Sequence, residues 1–136
     1  MTQEERFLLF QDLCARLPYG VKVQYKGNVY DLKEMHKDGR TYLGSYNSIY
    51  GDWHCSLEFE YYPKPYLRPM SSMTEEEEKE YRNIDNRSYS CPMDYAHIPA
   101  SDRIDWLNKK MFDYRGLIKK NLALEAPEGM YNIKEK

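Results

Sequence analysis

The sequence predicts an α+β fold, with an N-terminal helix packed on a curled antiparallel β-meander of about four strands, followed by two or three short helices. Three observations lead to this prediction. Apolar residues recur at helical spacing between residues 2 and 17, and the period changes to two between residues 21 and 61. Helix-start signals return from Thr74 onward. A run of strands followed by a run of helices is typical of this fold class.

The first helix is predicted over residues 2–17. Thr2 followed by Glu5 is a capping box, in which each side chain bonds a free amide of the first turn. Pro18 and Gly20 end the helix, since proline cannot donate the helical hydrogen bond and glycine tolerates the turn. One broad apolar face is expected to pack on the sheet. Its members are Phe7, Phe10, Cys14 and Leu17, with Leu9 and Leu13 beside them.

The β-meander is predicted from the alternation of apolar and polar side chains. Its four strands are placed at residues 21–26, 29–36, 41–46 and 53–61. The Asp38-Gly39 pair between the second and third strands indicates a hairpin, because a type I′ turn needs positive φ at both central residues. The fourth strand has the clearest pattern, running from Trp53 to Tyr61 without a break in the alternation.

Residues 64–69, with the sequence KPYLRP, are predicted to be a joint between the sheet and the helical part. Proline cannot donate to a strand ladder, so the two prolines are expected to end the fourth strand and block further pairing at that edge. Thr74 and Glu77 then form a second capping box. The helix that it opens is predicted to reach Ile84 and to be mostly exposed.

A third helix is predicted from Ser101, a favourable N-cap, to Phe112. The expected buried stripe of this helix consists of Ile104, Leu107 and Met111. Residues 85–100 show no periodicity and are predicted to be a long irregular connection. Residues 132–136 are expected to fray.

Length and charge place the chain in a broad class. With 136 residues it has the size of one domain, and residues 1–63 and 64–136 are its β-rich and helical parts. The 20 basic residues nearly balance the 22 acidic ones, so no global field attracts nucleic acid or an anionic membrane surface. We therefore predict neither a nucleic-acid partner nor a membrane association.

The cellular compartment is predicted from two further features. The start of the chain, MTQEE, is acidic where a secretory signal would be basic, and no apolar run approaches the roughly 20 residues of a membrane helix. The three cysteines, Cys14, Cys55 and Cys91, are too widely spaced for a secreted disulfide framework. These observations predict a cytoplasmic protein with reduced cysteines.

Three strings in the second half of the chain are unusual. They are KPYLRPMSSMT at residues 64–74, DWLN at 105–108 and FDYRGLI at 112–118. Through them the chain resembles short uncharacterised proteins of gut Bacteroidetes and their phages and mobile elements, over about residues 64–131. The resemblance implies a setting inside a bacterium, on a phage or mobile element. It implies no activity, cofactor or site residue.

The histidines and cysteines do not predict a metal site. His54 and Cys55 with Cys91 and His97 would supply four zinc ligands. Neighbouring residues on a strand point to opposite faces, however, so the first two cannot easily share one ion. We predict no metal and no cofactor, with Cys55 in the core and His54 on the surface.

No catalytic residue is predicted either. Cys91, His97 and Asp94 contain the groups of a thiol nucleophile and its base, which keeps cysteine catalysis open as an alternative, but no family signature surrounds them. The carboxylate pairs, Glu58 with Glu60 and Glu75 to Glu78, are expected to be solvated, whereas acid–base work needs a perturbed pKa. A non-enzymatic protein is therefore the main prediction.

Aromatic and basic residues cluster around the joint. Nine of the 14 tyrosines lie between residues 19 and 66. Tyrosine and arginine provide contact area at low entropic cost, so we predict a protein-interaction module. The predicted partner-binding residues are Tyr61, Tyr62, Tyr66, Leu67 and Arg68. Tyrosine also substitutes for leucine or phenylalanine as a packing residue in a small sheet, and that interpretation remains open.

A small-ligand or nucleotide-binding protein is the alternative function. Trp53 would stack on an aromatic ring, and Lys64 and Arg115, with Arg68, would hold a phosphate. The balanced net charge disfavours single-stranded nucleic acid as the ligand.

Overall fold

The computed structural model describes residues 1–44, 53–56, 62–86 and 97–131. The helices are α1 (Gln3–Arg16), α2 (Glu75–Asn86) and α3 (His97–Lys109), with short 3₁₀ helices at Leu17–Tyr19 and Met70–Ser72. The strands are β1 (Lys22–Tyr25), β2 (Asn28–Met35), β3 (Arg40–Gly44), β4 (Trp53–Ser56), β5 (Lys64–Leu67) and β6 (Leu124–Glu125). This arrangement is the predicted α+β fold.

The strands form a sheet with the order β4-β3-β2-β1-β5-β6. Strands β1 to β4 pair antiparallel with their chain neighbours, which confirms the predicted meander. Strand β5 pairs antiparallel with β1, and β6 pairs parallel with β5. The second half of the predicted fourth strand lies outside the described residues, as do the middle of the predicted 85–100 connection and residues 132–136.

Helix α1 lies within the predicted boundaries. Its predicted apolar face is confirmed at Leu9 and Leu13, which are buried, and Phe10 and Leu17 pack partly buried against the core, but the prediction fails at Phe7. The Thr2 amide donates to Glu5 Oε1 and the Glu5 amide to Thr2 Oγ1, both at 3.0 Å, so the capping box is present. The Phe7 ring, however, is 63% exposed, and Cys14 is only half-buried. Burial of that degree still raises the pKa of the Cys14 thiol. The buried positions are Leu9, Asp12, Leu13 and Arg16.

The hairpin turns also differ in type from the prediction. A turn does lie at Asp38-Gly39, where the Gly39 amide donates to the His36 carbonyl and the His36 amide to the Arg40 carbonyl. Only Gly39 has positive φ there, so this turn is a three-residue loop and not type I′. The type I′ pattern occurs at Lys26 and Gly27, whose φ values are 50° and 84°.

The predicted joint at residues 64–69 is largely a strand. Strand β5 pairs on both sides, so the prolines do not block pairing at this edge. The alternation of hydrogen bonds explains why Pro65 is tolerated. Pro65 lies opposite Val23, and the Leu67 carbonyl accepts from Ala126 on the β6 side at 2.7 Å. The backbone groups of odd-numbered β5 residues therefore point toward β6, and the pairing of β6 with β5 begins only at Tyr66. Pro65 thus faces no strand that would accept a hydrogen bond from its backbone nitrogen, so the missing amide hydrogen is tolerated.

Tyr131 completes the pairing between β1 and β5. The register that places Gln24 opposite Lys64 and Val23 opposite Pro65 would next place Lys22 opposite Tyr66. The Tyr131 hydroxyl lies between these two backbones, accepting from the Lys22 amide at 2.9 Å and donating to the Tyr66 carbonyl at 2.8 Å. A side chain from the end of the described chain thus replaces a rung of the ladder.

Helices α2 and α3 begin in different ways. The capping box of α2 is confirmed, with Thr74 and Glu77 bonded to each other's amides at 3.0 and 3.1 Å. Helix α3 begins at His97 and not at Ser101, because Pro99 falls in the first turn, where its missing amide hydrogen costs nothing. Ile104, predicted to be buried, is 42% exposed, whereas Leu107 and Met111 are buried as predicted.

The hydrophobic core draws on both parts of the chain. Leucines of α1 and the valines Val21 and Val23 contact residues from the segment that follows α3. The core residues are Leu9, Leu13, Val21, Val23, Leu32, Leu43, Leu67, Met111, Leu117, Leu122 and Ala123. Partly buried tyrosines pack on this cluster, among them Tyr25, Tyr30 and Tyr62. Tyrosine thus does serve as a packing residue in this sheet.

Candidate interaction surface

An open groove runs between α1 and the turn that follows α3. Its volume is about 440 Å³. Side chains of α1 form one wall and Lys120 contributes to the other; the lining residues are Thr2, Glu4, Glu5, Phe7, Leu8, Gln11 and Lys120. The groove therefore combines two apolar side chains with acidic and basic groups.

The buried face of α1 determines where Phe7 lies. Leu9, Asp12, Leu13 and Arg16 follow the i, i+3, i+4, i+7 pattern of one helix face, and all four are buried. Each residue rotates the side chain by about 100° around the helix axis, so Phe7 is nearly opposite the middle of that face. The stripe that the sequence marks as the core face is thus turned outward at Phe7.

An ion-pair cluster fixes this rotation of α1. Arg16 Nε and Nη2 donate to the two Asp12 carboxylate oxygens at 2.9 and 3.1 Å, with both side chains fully buried. Arg16 Nη2 also donates to the Phe112 carbonyl at 2.7 Å, and Arg115 Nε donates to Asp12 Oδ1 at 3.1 Å. These bonds tie α1 to residues 112–115, because rotating the helix would separate buried charges.

The second wall of the groove is held by an aspartate cap. Both Asp113 carboxylate oxygens accept backbone hydrogen bonds, from the Leu117 amide at 2.8 Å and the Ile118 amide at 3.0 Å. Gly116, with φ of 74°, allows the chain to turn before this cap. The capped turn places the exposed Lys120 beside α1.

Two of the predicted site residues contact Asn121, the residue that follows Lys120 in the chain. The Tyr62 hydroxyl donates to the Asn121 carbonyl at 3.3 Å, and Lys64 Nζ donates to Asn121 Oδ1 at 3.4 Å. Lys64 Nζ also lies 5.7 Å from the centre of the Tyr62 ring. Burial, with the nearby negative charge of Glu5, raises the pKa of Tyr62. Tyr62 and Lys64 therefore lie beside the wall formed by Lys120.

The expectation that Tyr66 and Arg68 are exposed is wrong. Tyr66 and Arg68 retain only 9% and 7% of their accessible surface, and Leu67 is fully buried. The Tyr66 hydroxyl accepts from Gln24 Nε2 at 3.2 Å. Pairing of β5 on both sides encloses this segment. Tyr61, the remaining member of the predicted surface, lies outside the described residues.

Glu77 explains how Arg68 is buried. The Arg68 guanidinium donates to both Glu77 carboxylate oxygens, at 2.7 and 2.9 Å, and its carbon lies 4.1 Å from the centre of the Phe112 ring. Burial alone would raise the pKa of Glu77, but hydrogen bonds from Arg68 and the Thr74 amide, with the Arg68 charge, hold that pKa below its ordinary value. The expectation that Glu75 to Glu78 are all solvated is therefore wrong at Glu77.

The groups of the predicted nucleotide site have other partners. Arg115 bonds Asp12 and the Tyr114 hydroxyl, each at 3.1 Å, while Lys64 bonds Asn121. Trp53 belongs to β4, and its side chain lies outside the described part of the structure. The described contacts therefore do not bring Lys64 and Arg115 together around one ligand.

A second groove, of about 300 Å³, lies between the 3₁₀ helix Met70–Ser72 and α2. Met70, Met73 and Tyr81 provide apolar lining, and Glu78 and Arg82 form an exposed ion pair of 3.3 Å at this groove. Met70 is less exposed than Phe7. The groove at α1 is therefore the stronger candidate for a docking surface.

Comparisons of the chain with protein-family models, with curated protein sequences and with solved structures found no match. None of the helices in the described ranges is long and apolar enough to cross a membrane. Within the same ranges no three or more histidine, cysteine, aspartate or glutamate side chains cluster as metal ligands would. Cys91 and Asp94 lie outside these ranges, as do the side chains of His54, Cys55 and His97.

Proposed function

We propose that the protein is a small non-enzymatic protein-interaction module that docks another protein on the outer face of α1. The observation that carries the proposal is the position of Phe7. This phenylalanine is 63% exposed beside a groove of about 440 Å³. Burying a phenylalanine side chain stabilises a contact by about 1.5–3 kcal/mol, so covering Phe7 would strengthen an association considerably.

The surroundings of Phe7 support a protein partner. Leu8 extends the apolar surface into the groove, and Glu4, Gln11 and Lys120 place polar groups around it. An apolar centre with a polar rim is the usual composition of a protein–protein interface. Tyr62 and Lys64, which were predicted from the sequence to bind a partner or ligand, lie next to this rim.

We further propose that the protein acts inside a bacterial cell and is encoded by a phage or mobile element. The resemblance over residues 64–131 supports this setting, together with the wide spacing of the cysteines.

Site-specific photocrosslinking tests the docking surface. A photoreactive phenylalanine analogue replaces Phe7 in one variant and Ile104 in another, and both variants are expressed in cells of the bacterium that carries the gene. Ile104 is a matched control because it is 42% exposed and lies on a different helix. We expect a discrete crosslinked species from position 7 that position 104 does not give. No crosslink from position 7, or the same species from both positions, would contradict the proposal.

A further inference from the structure

We propose that the groove at α1 is occupied by the same surface of a second copy of this chain, which makes the protein a two-fold symmetric dimer. This inference rests on the proposed docking surface and names its partner.

The patch combines an exposed apolar ring with a concavity. Phe7 is 63% exposed and is itself one of the residues that line the groove, with Leu8, Gln11 and Lys120. Because the exposed ring and the concavity belong to one patch, a two-fold axis through this patch would bring Phe7 of each copy to the groove of the other. Such an isologous contact uses the same residues on both subunits and closes without forming a filament.

The charges at the rim are self-complementary. Glu4 lies on α1 and Lys120 on the opposite wall, and both side chains are exposed. Neither forms an ion pair within 4 Å in the part of the chain that the structure describes. An isologous contact brings Glu4 of one copy toward Lys120 of the other, twice per dimer. The groove therefore has the charge pattern that a two-fold contact requires.

The same pattern disfavours a strongly charged partner. An acidic segment would be attracted by Lys120 and Lys64 but repelled by Glu4 and Glu5. A basic segment would be attracted by the two glutamates but repelled by the two lysines. A second copy related by a two-fold axis avoids this repulsion, because its lysine faces the glutamate of the first copy and its glutamate faces the lysine. Among protein partners the surface thus fits a second copy best.

Sedimentation velocity over a range of protein concentrations tests the dimer. We expect the wild-type full chain to show a reversible monomer–dimer equilibrium. Phe7→Ala should raise the dissociation constant at least about tenfold, as truncation of a central aromatic residue does. Ile104→Ala, at a 42% exposed position on α3, should leave the constant unchanged. Circular dichroism spectra of both variants should match that of the wild type, because neither side chain is part of the core.

A charge exchange tests the orientation of the two copies. Glu4→Lys and Lys120→Glu should each weaken the dimer about threefold or more at low salt, because each replaces attraction by repulsion. The double variant, Glu4→Lys with Lys120→Glu, should restore the wild-type dissociation constant. A wild type that is monomeric at millimolar concentration would overturn the proposal. A dimer insensitive to Phe7→Ala, or a double variant no tighter than the single ones, would do so as well.

The outcomes separate this inference from the proposed function. A monomeric wild type whose position 7 crosslinks to a different protein overturns the dimer and leaves the docking surface standing. Crosslinks from position 7 to the chain itself support both proposals. A monomeric wild type with no crosslink from position 7 overturns both.

Discussion

Two regions of this protein have the reverse of the environments that their sequences predict. Residues 66–68 combine tyrosine, leucine and arginine between two prolines and indicate an exposed binding surface, yet they are buried. The stripe of α1 that contains Phe7 indicates a core face, yet Phe7 is exposed. The comparison teaches that exposure depends on the partners that the fold supplies, and not on the hydrophobicity of the residue alone.

The partners can be named in both cases. Arg68 is buried because Glu77 balances its charge and Phe112 and the Lys110 carbonyl complete its surroundings. On α1, Asp12 and Arg16 neutralise each other, so the face that also holds Leu9 and Leu13 can be buried and Phe7 is left outside. A buried ion pair is tolerated in the core when its charged groups are hydrogen-bonded. Both carboxylates and both guanidinium groups meet this condition, although Arg16 Nη1 is buried without a hydrogen-bond partner among the described residues.

Breaking the Arg68 pair should have the largest effect. Glu77→Ala removes the partner of a buried guanidinium and one half of the α2 capping box, so we expect the free energy of unfolding to fall by about 3–5 kcal/mol. Urea denaturation measures this change. Glu78→Ala is the control, because Glu78 is exposed on the same helix turn and should change the free energy by less than about 0.5 kcal/mol. Equal effects of the two substitutions would show that the Arg68–Glu77 pair does not hold this region together.

The same ion pair should make the free energy of unfolding depend on pH. The pKa of Glu77 is lower in the folded state than its ordinary value of 4.5. The charged carboxylate therefore stabilises the fold fully at pH values above 4.5. This stabilisation is lost as the pH falls through the pKa that Glu77 has in the folded protein. The difference in unfolding free energy between wild type and Glu77→Gln should therefore shrink between pH 5 and 3, as urea denaturation at each pH would measure. A difference that stays constant over this range would rule out Glu77 as the titrating group.

Local signals in the sequence predicted much of the fold. Both capping boxes involve residues three apart, and the capping hydrogen bonds form within the first turn of the helix itself. The meander likewise follows from alternation within each strand and from glycine at the turns. These interactions join residues that are close in the chain, so a single sequence contains the information.

The environment of the candidate site could not be predicted in the same way. The side of α1 that faces the core is set by bonds from Asp12 and Arg16 to Arg115 and Phe112, roughly one hundred residues away in the chain. The pairing of β5 with β1 and β6 joins residues that are 42 and 58 positions apart, as in Val23 with Pro65 and Tyr66 with Leu124. The sequence did contain one indication that Glu77 has a further partner. A capping-box carboxylate has a second oxygen to satisfy, and the nearby Arg68 is the group that satisfies it.

Removing the Tyr131 hydroxyl should have an intermediate effect on the buried region. Tyr131→Phe leaves the Lys22 amide and the Tyr66 carbonyl without their shared partner between β1 and β5. We expect the free energy of unfolding to fall by about 1–3 kcal/mol, the usual cost of unsatisfied buried groups. Tyr19→Phe, at an exposed tyrosine, is the control for loss of a hydroxyl. An unchanged free energy would mean that the strands close into a direct hydrogen bond once the hydroxyl is gone.

The smallest effect on stability is expected on the outer face of α1. Phe7→Ala should change the free energy of unfolding of the monomer by no more than about 0.5 kcal/mol, because the ring is mostly in water already. Leu9→Ala, two positions along the same helix, should lower it by about 2–5 kcal/mol, since Leu9 is fully buried in the core. Thermal and urea denaturation at a concentration well below dimer formation measure both. If Phe7→Ala proved as costly as Leu9→Ala, the ring would be packed within the monomer and the contrast between the two faces of α1 would be lost. A small cost in stability combined with a large loss of association would instead assign Phe7 to contacts with another chain.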